Sequence, residues 1–141
     1  MSGKAFVDTN ILLYAHDRSH GVKHKRARTL IEQLWESGKG VLSTQVLQEL
    51  CVNLSKKTGK PSNSKEIQSL IDDYSTWEVV VNGLPAITKA LEAEDRYRIS
   101  FWDALILQAA EESDAEILYS EDLSAGQRYG AVLVMNPLTG D

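Results

Sequence analysis

Short β-branched and apolar runs alternate with helical apolar stripes along the whole chain, and this alternation limits the fold more than any other feature. Strand-like runs are Lys4 to Val7, Val41-Leu42-Ser43, Trp77 to Val81, Glu116 to Tyr119 and Ala131 to Met135. Between them Ala27, Leu30, Ile31, Leu34 and Trp35 recur at helical spacing, as do Ile67, Leu70, Ile71 and Tyr74. Strands separated by helices predict a parallel sheet covered on both faces through right-handed crossovers, so the fold class is α/β.

Local signals set the expected boundaries. Ile11 to Ala15 continues helically from an Asp8-Thr9-Asn10 cap, and Gly38 and Gly40 punctuate the end of the second helix. Leu47, Cys51 and Leu54 are expected on the buried face of a helix over 44–57, closed by Gly59 and Pro61. Asn63 and Glu66 form a predicted capping pair, and Pro85 suits the first turn of a helix reaching Arg98 with Ile87, Ala90 and Leu91 inward. Ser100 starts a last helix through Glu112. No repeat, linker or low-complexity tract interrupts the pattern, and 141 residues fit one domain, 1–141.

Cys51 is the only cysteine, which excludes an internal disulfide framework and fits a reducing, cytoplasmic compartment. No apolar run approaches the roughly 18 residues of a membrane span, and MSGKAFVDTN enters the strand pattern without a signal-like apolar region. Neither secretion nor membrane insertion is expected. Fifteen Lys and Arg against twenty Asp and Glu give a net charge of -5, which excludes a nucleic-acid binder acting through bulk positive charge.

Ligands of open α/β sheets bind outside the carboxyl ends of the strands, and that rule selects four acids. Asp8 ends the first strand, Glu49 lies early in the helix after the second, Asp103 sits in the first turn of the last helix, and Asp122 follows the fourth strand. Gathered carboxylates repel one another unless a cation neutralises them, and an all-oxygen set without His or Cys suits Mg²⁺ or Mn²⁺. Such ions activate water and stabilise charge on a phosphoryl centre, so phosphodiester hydrolysis needs no covalent intermediate.

VDTNILLYA at 7–15, QVLQEL at 45–50, SFWDALILQAA at 100–110 and ILYSEDL at 117–123 resemble the motifs of PIN-domain ribonucleases, most closely the VapC-like toxins of type II toxin–antitoxin systems. The motifs stand in family order and spacing over nearly the whole chain. The resemblance implies a sheet in the order 3-2-1-4-5 and Mg²⁺- or Mn²⁺-dependent endoribonuclease activity on an RNA substrate, leaving 5′-phosphate and 3′-hydroxyl ends. It also implies homodimerisation and inhibition by a cognate antitoxin. Asp8, Glu49, Asp103 and Asp122 occupy the acidic positions, Asn10 matches the family's Asp-x-Asn, and Ser120 its Ser/Thr-x-Asp. Asn10 is then expected to orient the Asp8 carboxylate or a metal-bound water, and Ser120 to position the last carboxylate. Glu121 is an additional acid beside Asp122.

Each residue also has an ordinary use. Asp103 follows Ser100 by three and can complete a capping box, Asp8, Asn10, Asp122, Ser43 and Thr44 can cap turns or helices, and Glu49 can be a solvated helix residue. It is the placement of four acids in matching apolar contexts that favours the metal centre. His16, His20 and His24 have zinc-like spacing, but Arg18, Ser19 and Gly21 read as a loop and no Cys or fourth His supports a site. The basic stretches Lys23 to Arg28 and Lys56 to Lys65 read as solvated faces. Arg96 and Arg98, next to the SFWDAL motif, are the better RNA contacts, while Trp35 and Trp102 are expected to pack in the core rather than stack on bases.

Two other function classes compete. An aspartyl nucleophile at Asp8 would make a phosphoryl-transfer enzyme, but Asp8-Thr9-Asn10 lacks the second Asp of a DxD motif and no lysine follows the fifth strand. A catalytically silent PIN-like module, acting by binding protein or RNA, would be favoured by a missing acid, and all four are present.

Overall fold

The computed structural model describes residues 2–139. Strand β1 (Ala5–Val7) leads into helix α1 (Thr9–Ala15), a 3₁₀ turn (Arg18–His20) and α2 (Val22–Ser37). Next come β2 (Gly40–Ser43), α3 (Thr44–Thr58), α4 (Lys65–Tyr74), β3 (Glu78–Val80), α5 (Leu84–Tyr97) and α6 (Phe101–Glu112). The chain closes with β4 (Ile117–Tyr119), β5 (Arg128–Tyr129) and β6 (Val132–Met135).

The sheet runs β3-β2-β1-β4-β6-β5. All pairings are parallel except that of β5 with β6. The five expected strands therefore take the expected order, with β6 as the fifth, and β5 is an unanticipated antiparallel edge strand. Two residues, Arg128 and Tyr129, are too few to show an alternating pattern in the sequence. In register, Phe6 faces Val41 on one side and Leu118 on the other, and Leu118 faces Val134. These side chains are fully or almost fully buried, as expected for parallel strands covered by helices.

The helices meet the sheet through the predicted stripes, with four local corrections. Ser64 rather than Asn63 caps α4, its hydroxyl accepting from the Ile67 N–H. In α3 the fully buried row is Val46, Leu50 and Leu54, while Leu47 and Cys51 pack at its margin. In α5 only Ala86 and Ala90 are buried, against Ala104 and Leu105 of α6, so Ile87 and Leu91 point outward. The small alanines let the two helices approach closely and leave the large side chains outside. Neither Trp35 nor Trp102 is a core residue: Trp35 lies against Tyr74 and Trp77 at the surface, and Trp102 is 63% exposed. Gly40 explains one tight spot, because a Cβ there would run into the Trp77 ring.

Candidate metal centre

The carboxyl ends of β1 and β4 lie side by side, Val7 paired with Tyr119, so the residues that follow each strand emerge together. Asp8 leaves β1 in extended conformation and caps α1, accepting from the Thr9 N–H at 2.7 Å. Ser120 and Asp122 leave β4. Asp103 arrives from another direction, in the first turn of α6, where Ser100 Oγ accepts its N–H at 3.1 Å. The capping role of Ser100 and a place for Asp103 in the site therefore coexist.

Asp8, Asp103 and Asp122 each offer one carboxylate oxygen, and the three oxygens lie within 4.8 Å of one another. Glu49 lines the same cleft, whose volume is about 210 Å³, but stands outside this group of three. Its Oε1 accepts from Thr9 Oγ1 at 2.6 Å. In the sequence Thr9 shows only as part of a cap. Only the α1–α3 packing brings its hydroxyl to a residue 40 positions away.

Ser120 serves both the first and the last acid, and Asn10 serves the last rather than the first. Ser120 Oγ donates to Asp8 Oδ2 at 3.0 Å, so it holds the first carboxylate, and it accepts the backbone N–H groups of Asp122 and Leu123. Asn10 Nδ2 donates to Asp122 Oδ2 at 3.3 Å, so it holds the last. The first motif and the fourth are thus strapped crosswise. Glu121 turns elsewhere: Tyr14 OH and Lys23 Nζ both donate to it, at 2.8 and 2.7 Å.

Electrostatics separate these acids. Burial pushes the Asp8 carboxyl up to about 7, helped by the charges of Asp122 and Asp103 and opposed by the Thr9 N–H and Ser120 hydroxyl. Burial also raises Asp122, as do the charges of Asp103 and Glu121, with Asn10 opposing. For Glu121 burial pulls upward, but the donors Lys23 and Tyr14 outweigh it and hold the group below its ordinary value. Carboxylates that repel one another around the buried Asp8 lack what a cation supplies, while Glu121 is already compensated.

Other expectations fall outside the cleft. Arg96 lines a larger cavity of about 330 Å³ between α5 and α6, beside Lys89 and Glu111 and away from all four acids. Arg98, exposed, caps the end of α5 in the left-handed region. Among the described residues the larger cavity has no converging group of metal-ligating side chains, and the smaller cleft has one. Among the described residues the three histidines share no ligand group. His16 pairs with Tyr74 OH, His24 with the Tyr14 carbonyl, and His20 with Asp17 and Lys57.

The donor set fits a hard divalent ion: oxygens only, with no nitrogen or sulfur ligand in the group. A toxin–antitoxin complex from Klebsiella pneumoniae contains a chain 21% identical, with a TM-score of 0.69 over 95% of this chain and 98% of that one. VapC20 of Mycobacterium tuberculosis, a sarcin-ricin loop cleaving toxin, is 19% identical, with a TM-score of 0.63 over 84% of this chain and 90% of that one. At these identities the likeness establishes a shared fold. No relative matches among curated proteins. The PIN domain family matches residues 5–128, which hold β1 to β4, all six α-helices and all four acids, and the chain belongs to that family.

Proposed function

We propose that this chain is a metal-dependent endoribonuclease acting as the toxin of a toxin–antitoxin pair. One observation carries the reading: carboxylate oxygens of Asp8, Asp103 and Asp122 converge within 4.8 Å at the carboxyl edge of a PIN-domain sheet. The fold shared with a chain of a toxin–antitoxin complex and with a sarcin-ricin loop cleaving toxin supports it. The reading brings with it Mg²⁺ or Mn²⁺ as cofactor, RNA as substrate, a cognate antitoxin and a second copy of the chain as partners, and a cytoplasmic site of action. No helix among the described residues is long and apolar enough to cross a membrane.

Asp8, Asp103 and Asp122 would hold the ion. When bound, Mg²⁺ or Mn²⁺ supplies positive charge for the phosphoryl oxygens and lowers the pKa of water. The protein's own contribution is placement. Ser120 fixes the Asp8 carboxylate, Asn10 fixes Asp122, and the α6 first turn fixes Asp103. Glu49, with Oε1 engaged by Thr9, would have its other oxygen to accept a proton from water in the cleft.

Cleavage of a cellular RNA pool by the antitoxin-free protein tests this, with Mg²⁺, Mn²⁺ or a chelator and with folded Asp8→Asn alongside. Discrete products that need the cation and are lost in Asp8→Asn are expected. Equal cleavage by Asp8→Asn, or none by the parent in any metal, overturns the nuclease.

A further inference from the structure

We propose that Trp102 is a stacking platform for an unpaired nucleobase beside the carboxylate cleft, an inference that rests on the ribonuclease reading and extends it to the kind of RNA taken. Trp102 lines the same cleft as Asp8, Glu49, Asp103 and Asp122. Its indole is 63% exposed, whereas Ala104, Leu105 and Ile106, just beyond it on α6, are all buried. Isolated exposed apolar side chains are common and need no role. Trp102 differs because of where it stands and how it is held.

The residue is fixed at its base. Its carbonyl accepts from Gln45 Nε2 at 3.4 Å, and Gln45 itself is only 6% exposed. The Phe101 ring meets the indole edge-on, with centroids 5.4 Å apart. The next residue, Asp103, is locked by the Ser100 cap. A ring held this way loses little freedom when a base covers it. Trp35, also partly exposed, is different: its ring is stacked on Tyr74 at 5.5 Å and packed against Trp77, and it does not line the acids' cleft.

Charge gives the second reason. The cleft is lined by four carboxylates and by no lysine or arginine, and the chain as a whole carries -5. Attraction between phosphates and cationic side chains, the usual source of nucleic-acid affinity, is absent at this spot. Stacking on an aromatic face is independent of net charge and tolerates any base. In a paired A-form helix the base faces are covered by their neighbours, so a base that reaches Trp102 must come from a loop, a bulge or a single strand.

The test compares the parent with Trp102→Ala and Trp102→Phe. Binding of an end-labelled, mixed-sequence single-stranded RNA and of its blunt duplex is measured by anisotropy with Ca²⁺ as the oxygen-ligated cation. Mn²⁺ affinity, cleavage kinetics and oligomeric state are measured beside it. Trp102→Ala is expected to weaken single-strand binding about 5- to 150-fold, the range of one base stack. KM rises correspondingly while Mn²⁺ affinity, duplex binding and oligomeric state stay as in the parent, and Trp102→Phe recovers most of the loss.

Single-strand binding that is unchanged in Trp102→Ala, or absent from the parent, overturns the platform. So does an equal loss of duplex binding, or a change of oligomeric state at unchanged RNA affinity, which would assign the ring to a protein interface. A parent that binds single strands through Trp102 yet cleaves nothing would instead overturn the nuclease reading and leave the platform standing.

Discussion

Ser120 Oγ lies 3.0 Å from Asp8 Oδ2 and joins the carboxyl ends of two neighbouring strands through one hydroxyl. The same oxygen accepts the N–H groups of Asp122 and Leu123, so a single buried serine sets the direction of one carboxylate and the backbone that carries another. Ser120→Ala is expected to lower RNA cleavage by about 10- to 100-fold, the scale of losing an outer partner of a metal ligand. Ser120→Thr, if its hydroxyl reaches Asp8, recovers part of it. Cleavage rates and Mn²⁺ titration of the two variants check this, and a fully active Ser120→Ala contradicts it.

Asp8 makes the metal-free protein sensitive to pH. Its carboxyl is pushed up to about 7 from an ordinary 3.8, so between those values the folded protein holds a proton that the unfolded chain has released. Asp8's contribution to metal-free stability then falls as pH rises through this window and levels off above about pH 7, while His16 and Glu121, both held below their ordinary values, contribute in the opposite sense. Urea unfolding in chelator is expected to show the parent losing stability relative to Asp8→Asn as pH rises, with Asp8→Asn the more stable by about 1 kcal/mol or more above neutrality. Because proton and cation compete for the same oxygens, Mn²⁺ affinity runs the other way and rises with pH up to the same point.

Thr9 acts through Glu49. Removing its hydroxyl in Thr9→Val leaves the shape nearly intact and the three converging aspartates in place, but frees a carboxylate now held at 2.6 Å. A fall of about tenfold or more in kcat with little change in KM is expected, restored by Thr9→Ser. Combined with Glu49→Ala, the Thr9→Val change should add almost nothing, because both remove one device. Additive losses in that double-variant cycle would show that Thr9 works by another route.

Glu121, the acid next door, stands outside the converging group. With its oxygens on Tyr14 and Lys23, Glu121→Gln is expected to change Mn²⁺ affinity by no more than about threefold, as a screened neighbouring charge. Asp122→Asn loses far more. Parallel titrations of the two single variants distinguish them, and similar losses in both would place Glu121 among the ligands.

What the sequence disclosed depended on the range of the contact that carried it. β1, β2, β3, β4 and β6 and all the long helices were visible because burial imposes a short apolar period on each. The order of the strands was carried by motif resemblance, since local spacing cannot say which strands become neighbours, and the gathering of Asp8, Asp103 and Asp122 by that resemblance together with their places at the carboxyl ends of the strands. Side-chain straps were the hidden part. Asn10 and Ser120 were both expected in the site, but whether each serves Asp8 or Asp122 depends on how the two loops cross, which is a tertiary fact. Trp102 and the Ile87–Leu91 face of α5 failed for a related reason: helical spacing marks an apolar face, and close packing of Ala86 and Ala90 on α6 decides which apolar residues fit beneath it.

Mn²⁺ titration of the metal-free protein, repeated for Asp8→Asn, Asp103→Asn, Asp122→Asn and Glu49→Gln, addresses the metal centre itself. The three aspartate variants should each lose about a hundredfold or more in affinity, above the 10- to 100-fold typical of outer partners, and Glu49→Gln should lose less. A parent that binds no Mn²⁺, or aspartate variants that bind it as the parent does, would show that the converging carboxylates are not a metal site.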